Sequence, residues 1–114
     1  MSILLIFKII AAILTAATGL LALIRPATVY GFTGLTAGGA RGISEIRAIF
    51  GGLFIALGIA PFLFGTTAYS VLGIGYLAIA AVRLVSILID RSTDSSNLIS
   101  LAIEIVCGVI LVLG

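Results

Sequence analysis

Four long apolar runs alternate along the chain with three short breaks that are polar or rich in glycine. Each run approaches the length of about 20 apolar residues that a helix needs to cross the hydrocarbon core of a membrane. The runs are apolar on every side, whereas a transmembrane strand would alternate apolar and polar residues over about 10 positions. The pattern therefore predicts helices over residues 2–24, 43–64, 68–89 and 98–113.

These helices use almost the whole chain, so we expect a single transmembrane domain over residues 1–114. The predicted fold class is all-α: an integral membrane four-helix bundle with antiparallel up-down topology, because short connections make consecutive helices neighbours. Residues 25–42 contain five glycines, which predict a loop rather than a helix. The polar stretch 90–97 is the other long connection, and Ser96 or Asn97 is a candidate N-cap of the last helix.

Composition supports the membrane assignment. Hydrophobic residues make up 62% of the chain and charged residues only 9%, and the mean hydropathy is +1.44. A soluble domain needs far more polar surface than this. No positive charge precedes the first apolar run, so we interpret that run as a span rather than a cleaved signal peptide.

The residues needed for several kinds of chemistry are missing. The sequence has no histidine and a single cysteine, Cys107, which excludes a disulfide, a CxxC redox pair and His-ligated haem or zinc. A nucleophile with its base cannot be assembled from the remaining side chains. We therefore expect no catalytic residue, no cofactor and no metal site, and a protein that is not an enzyme. The net charge of +2 gives no indication of a nucleic-acid partner.

Two opposite charges within the apolar runs fall at matching depths. Arg83 lies six residues before the predicted end of the third helix, and Glu104 lies six residues after the predicted start of the fourth. Six residues span about 9 Å of helix, so antiparallel neighbours place the two side chains at one level. An unpaired charge at such a depth costs about 2.5 to 3.5 kcal/mol on insertion scales. We therefore predict that they pair.

Glu45 and Arg47, at the start of the second helix, extend this pair to a predicted polar cluster of Glu45, Arg47, Arg83 and Glu104. Positions 45 and 47 are about 200° apart around a helix, so we expect Arg47 to point inward and Glu45 to pair with Arg41 or with the loop. One interpretation of the cluster is structural, fixing helix register. The other is a ligand, ion or proton site.

Weaker patterns suggest two further features. Gly38, Gly39, Arg41 and Gly42 precede a helix and form a candidate site for an anionic lipid headgroup, bound by backbone N–H groups and one arginine. Small residues also recur every four positions in the first two helices, which favours close helix packing within the chain over a dimer interface. These residues are Ala11, Thr15, Gly19, Gly52, Ala56 and Ala60.

The distribution of positive charge predicts an orientation. Arginines concentrate in and near the loops 25–42 and 90–97, whereas the opposite side carries Lys8. The positive-inside rule places these loops in the cytoplasm and both termini outside. We expect the membrane to be the cytoplasmic membrane of a bacterium.

The charged pattern also resembles that of a known family. A Glu-x-Arg followed by a Gly-Gly pair, then a late Arg in the third span and a Glu in the fourth, is similar to a family of small bacterial four-helix membrane proteins described as a domain of unknown function. The matching positions are Glu45, Arg47, Gly51, Gly52, Arg83 and Glu104. The resemblance extends loosely to the DoxX-like membrane proteins, and it implies a bundle with a polar cluster and no assigned reaction.

Two functions are compatible with these observations. The first is an accessory or assembly subunit of a membrane complex, or a lipid-binding scaffold, with membrane lipids as partners and either a homo-oligomer or a larger complex as its setting. The alternative is a small proton-coupled transporter or channel that uses Arg83 and Glu104 as its intramembrane site.

Overall fold

The computed structural model describes residues 2–114, and no strand occurs in that part of the chain. Six α-helices and one π-helical segment follow one another along it. Their bounds are α1 Ile3–Ile24, α2 Thr28–Thr33, α3 Ala40–Glu45, the π segment Ile46–Leu53, α4 Phe54–Phe64, α5 Thr66–Asp90 and α6 Ser95–Val112. Because α3, the π segment and α4 are continuous, the chain forms four long helical rods.

All four rods are long and apolar enough to cross a membrane, which confirms the predicted all-α membrane bundle. The mean hydropathy of their most apolar windows lies between 2.0 and 2.3. Large apolar side chains face outward along every rod; Leu63, Phe64 and Leu88 are each more than 70% exposed. In lipid such exposure carries no penalty, because the acyl chains are as apolar as the side chains.

Neighbouring rods run in opposite directions. Gly65 alone separates α4 from α5, and its φ of 76° lies in the left-handed region that glycine enters without strain. Gly58 of α4 abuts Ala12 and Ala16 near the middle of α1, while Gly51 abuts Leu23 near the end of α1. The order of contacts is therefore reversed between these two rods, as antiparallel packing requires.

Several predicted boundaries were wrong in detail. The glycine-rich stretch 25–42 contains the short helix α2, which ends at Gly34 in the left-handed conformation (φ 77°). The second rod starts at Ala40 rather than at residue 43. The last helix starts at Ser95, so Asp94 occupies the N-cap position in place of Ser96 or Asn97. The apolar pattern missed α2 because that helix is short. It placed the other two starts too late because polar or small residues form the first turn of each helix.

The π segment is the largest departure from the expected regular helix. A π-helix closes its hydrogen bonds over five residues instead of four, so the chain turns less per residue than a wheel of 100° steps assumes. The small-residue face predicted for the second helix was therefore wrong: Gly52 and Ala56 are exposed, whereas Gly51 and Gly58 are buried. Ala11, Thr15 and Gly19 on α1 are buried as expected.

The buried residues form one cluster at each end of the bundle. The cluster near the chain termini contains Ala11, Ala12, Tyr69, Leu72 and Leu111, with no charged member. The cluster at the opposite end contains Ala22, Val29 and Ile46 and joins α1, α2 and the π segment. All the charges of residues 2–114 except Lys8 belong to that second end or to the segments that lead into it.

Candidate functional site: a polar cavity beside Arg83

Arg83 of α5 and Glu104 of α6 form a two-pronged ion pair. The Arg83 Nε–H donates to Glu104 Oε1 and the Nη2–H donates to Oε2, both over 2.7 Å. Parallel N–H···O bonds of this kind are the strongest geometry available to an arginine and a carboxylate, and they fix the orientation of both groups. The structure thus brings together the two residues whose depths match in the sequence.

Asn97 extends this pair toward the loop between α5 and α6. Its side-chain oxygen accepts a hydrogen bond from Arg83 Nη1 over 2.9 Å. Its amide nitrogen donates to the backbone oxygen and the hydroxyl of Ser92, over 3.0 and 2.9 Å. The loop is therefore tied to the ion pair through one amide side chain.

The two partners of the pair differ in exposure. The Glu104 side chain is 11% exposed, whereas that of Arg83 is 31% exposed. Both carboxylate oxygens are occupied, but arginine has five N–H groups, and two of those on Arg83 have no partner among residues 2–114. The accessible side of the pair is thus the donor side.

Arg83 lines a cavity of about 390 Å³ at this end of the bundle. Its walls come from the α5–α6 loop, the start of α6, α2 and the π segment. Its polar lining residues are Arg83, Ser92, Asp94, Ser96, Asn97, Ser100 and Thr33, and its aromatic lining residues are Phe32 and Phe50. The hydroxyls of Ser96 and Ser100 have no hydrogen-bond partner among residues 2–114, which adds two more donors.

Arg83, Ser96 and Ser100 offer hydrogen-bond donors in this cavity, so it can bind a group that carries oxygen acceptors. Asp94 supplies the one carboxylate that lines it, and each oxygen of Glu104 already accepts a hydrogen bond from Arg83. A phosphate or carbonyl oxygen would find hydroxyl and guanidinium N–H or O–H groups at hydrogen-bonding range. No group of three or more potential metal ligands occurs within residues 2–114.

The chain matches one known family along nearly its whole length. The model of the domain of unknown function DUF4345 covers residues 3–114. The chain belongs to the DUF4345 family. No curated protein and no solved structure matches it, and the looser likeness to DoxX-like proteins stays a prediction from the sequence.

In this DUF4345 protein the other half of the predicted polar cluster does not join the ion pair. Glu45 accepts a hydrogen bond from Arg41 one turn earlier, at an exposed position. Arg47 is exposed, so its predicted inward orientation was wrong. Ile46 is buried in its place, because the π segment turns this apolar side chain toward Ala22 and Val29. Burying an isoleucine leaves no hydrogen-bonding group without a partner, whereas burying a second arginine would.

The glycines of the site predicted for an anionic headgroup do not line the cavity beside Arg83. Gly39 precedes the first residue of α3, and Gly38 and Gly42 line a second surface pocket, which shares Leu35 and Phe50 with that cavity. The guanidinium of Arg41 is engaged by Glu45 rather than free to meet a ligand. An isolated phosphate would therefore compete with a carboxylate there.

Little in the sequence points to the residues that complete the cavity. Asn97 was interpreted as a possible cap, yet its side chain is an acceptor for Arg83. Ser92, Ser96 and Ser100 fall in or next to a stretch whose composition is that of an ordinary loop. The four-residue step from Ser96 to Ser100 is the available signal, because residues at this spacing share a helix face, whereas Ser92 lies in the loop before α6.

Proposed function

We propose that this DUF4345 protein is a non-enzymatic membrane protein that holds the polar head of a membrane lipid in the cavity beside Arg83. It would act as a lipid-binding scaffold, alone or as an accessory subunit of a membrane complex. The observation that carries the proposal is the cavity of about 390 Å³ lined by serine hydroxyls and by Arg83, whose guanidinium is fixed by its hydrogen bonds to Glu104 and Asn97. These hydrogen bonds hold the guanidinium of Arg83 in place, so the site keeps its geometry when the ligand leaves.

A lipid head suits this cavity better than a soluble ligand for two reasons. The cavity lies within a bundle whose outer surface is apolar, so the molecules that reach it most often are those of the bilayer. The apolar rings of Phe32 and Phe50 line the same space, so the cavity has an apolar wall beside its polar one. The polar and apolar walls thus match an amphiphile.

The orientation of the bundle follows from its charges. All five arginines lie at the end of the molecule that holds the cavity or in the segments leading to it, and Lys8 lies toward the other end. The positive-inside rule then places the loops 25–42 and 90–97 in the cytoplasm of a bacterium and the termini outside. The lipid would come from the cytoplasmic leaflet.

Native mass spectrometry tests this function. The protein would be extracted from vesicles of phosphatidylglycerol, washed extensively in detergent, and weighed with its remaining lipid and any second copy of the chain. We expect one retained phospholipid per chain. Ser100→Leu narrows the cavity and replaces no residue that hydrogen-bonds to Arg83, so it should release that lipid. Ser44→Leu is the matched control, because Ser44 is exposed on α3.

A small proton-coupled transporter is the competing proposal for the same ion pair. The geometry favours it less, because both oxygens of Glu104 accept hydrogen bonds from Arg83 and a proton carrier must release its partner in each cycle. Proton flux in proteoliposomes that Glu104→Gln abolishes would favour transport over the lipid-binding scaffold. Equal leak with and without the protein would argue against transport.

A further inference from the structure

A row of residues on α5 continues the cavity beside Arg83 as an apolar cleft. Arg83, Ile79, Gly75, Val71 and Thr67 follow one another at four-residue spacing, so each is a neighbour of the next, and the row winds around the helix by about 40° at every step. Every one of them lines a cavity. At about 1.5 Å per residue the row extends about 24 Å from the arginine, which is more than the depth of one leaflet's hydrocarbon, about 15 Å.

Three spaces lie along this row. The first, of about 490 Å³, is an open depression lined by Arg83, Val82 and Ile79 of α5 and by Asn97, and no α4 residue lines it. Ile79 also borders a narrow space of about 60 Å³ between α4, α5 and Thr15 of α1. Leu57 and Val71 border both that space and a third one of about 470 Å³. The spaces between α4 and α5 therefore begin at Ile79, one turn from Arg83, and continue toward the Gly65 turn.

The opening between α4 and α5 has a local cause. The two helices meet at the Gly65 turn, where the rings of Phe62 and Tyr69 pack edge to face with centroids 6.4 Å apart. Beyond this contact Gly75 offers no side chain, and a methyl group built on it would meet no atom within 4 Å. Gly75 therefore leaves an open space between the helices. Gly73, two residues earlier, instead permits close packing, because a methyl group built on it would lie 2.7 Å from the Leu111 Cβ.

We infer that the cleft between α4 and α5 holds one acyl chain of a phospholipid whose head occupies the cavity beside Arg83. The inference rests on the lipid-binding function proposed above and adds the ligand class: a glycerophospholipid with at least one straight chain. Hydrogen-bond donors at one end and an apolar row of about 24 Å beginning at the same arginine match the two ends of that molecule. Its second chain stays in the bilayer.

The narrow middle of the cleft determines which chains fit. A space of about 60 Å³ bounded by Phe54, Leu57 and Tyr76 accommodates the passage of an unbranched chain. Methyl branches along the chain would have to displace side chains of α4 or α5, and overfilled packing is costly. The protein should therefore distinguish lipids with the same head by the shape of their chains.

A competition between two lipids tests the inference. The protein would be reconstituted in vesicles of equal amounts of dioleoyl-phosphatidylglycerol and diphytanoyl-phosphatidylglycerol, extracted, and analysed by native mass spectrometry for the lipid that it retains. We expect the protein to retain about ten times more of the unbranched dioleoyl lipid than of the branched diphytanoyl lipid. A ratio of this size is expected when extra methyl groups are forced into filled space. Equal retention of the two lipids would overturn the inference.

Two variants at neighbouring positions provide the control. Gly75→Phe fills the cleft and should lower retention of the straight-chain lipid to the level of the branched one. Ile74→Phe adds a ring of the same kind at a position that is 61% exposed, outside the cleft, and should leave the preference unchanged. A preference that survives Gly75→Phe, or that Ile74→Phe abolishes equally, would overturn the inference.

The failure of this inference is distinguishable from failure of the proposed function. Equal retention of the two lipids, with both released by Ser100→Leu, leaves the head site standing and removes the chain site. Absence of any retained phospholipid in the unmodified protein removes both. Lysophosphatidylglycerol, with one chain, should be retained like the straight-chain lipid, whereas glycerol phosphate should not compete.

Discussion

The two antiparallel helix pairs of this bundle are held together by different means. α1 packs on the second rod through glycine: a methyl group built on Gly58 would lie 2.6 Å from the Ala16 backbone nitrogen, and one on Gly19 would lie 2.7 Å from the Gly51 oxygen. α5 packs on α6 through Gly73 and Gly108 at one end but through Arg83 and Glu104 at the other.

This difference separates shape from chemistry. Lipid gives helices no hydrophobic reason to associate, so they associate by close backbone contact or by hydrogen bonds across the interface. The first pair uses contact alone, which fixes distance and register but offers no polar group to a ligand. The second pair is joined by hydrogen bonds at one end, and two N–H groups of Arg83 have no partner there among residues 2–114. The candidate site lies where packing is supplemented by charge.

The largest effect is expected from filling the contact in the first pair. Gly58→Leu would drive a side chain into the backbone of α1 at Ala12 and Ala16, and we expect it to reduce the free energy of unfolding by about 3 kcal/mol. Steric trapping in bicelles would measure it.

Gly52→Leu is the matched control for that substitution. Gly52 is exposed, and the nearest atom to an added methyl group is the Arg47 backbone oxygen at 3.9 Å. The same leucine there should change stability by less than about 0.5 kcal/mol. Similar losses at both positions would mean that helix contact does not hold the first pair.

The ion pair should give the next largest effect. Glu104→Ala leaves Arg83 without its carboxylate, and Arg83→Ala strands a nearly buried carboxylate; we expect about 2 kcal/mol lost in each case, reduced from fully buried values because Arg83 is partly exposed. The double substitution should lose less than the sum. Arg47→Ala, at an exposed arginine, is the control and should have little effect. Additive losses in the same unfolding assay would contradict a shared interaction.

Asn97 sharpens the comparison at a smaller scale. Asn97→Ala removes the acceptor for Arg83 Nη1 and the donor to Ser92, so we expect a loss of about 1 kcal/mol in the unfolding assay. Ser86→Ala removes an exposed hydrogen bond to Asp90 and should cost much less. If Asn97→Ala behaves like Ser86→Ala, the loop is not tied to the ion pair.

The sequence contains enough information for the four spans and for the ion pair. Apolar length defines a span, because the membrane imposes it. Arg83 and Glu104 could be matched by counting residues from the ends of two adjoining helices, because rise per residue is constant. Both are lengths along the chain, so both can be counted in the sequence.

Properties that depend on helix rotation were less accessible. The π segment alters the angle between consecutive residues, so Arg47 was predicted inward and Ile46 was overlooked. Gly51 and Gly52 are adjacent and identical, so the sequence does not indicate which of them faces α1. The cavity could not be predicted because it depends on where α2 and the α5–α6 loop come together, and neither apolar pattern nor composition specifies that distance.

A distance between Arg83 and a lipid phosphorus tests the central claim most directly. The four exposed arginines, Arg25, Arg41, Arg47 and Arg91, would each be replaced by lysine so that Arg83 is the one arginine in the chain. Solid-state NMR of the ¹⁵N-arginine-labelled protein in phosphatidylglycerol bilayers would then measure dephasing of its guanidinium nitrogens by ³¹P. We predict strong dephasing of the Nη signals, which Ser100→Leu removes. Nη signals without dephasing in the unblocked protein would contradict a lipid phosphate in this cavity.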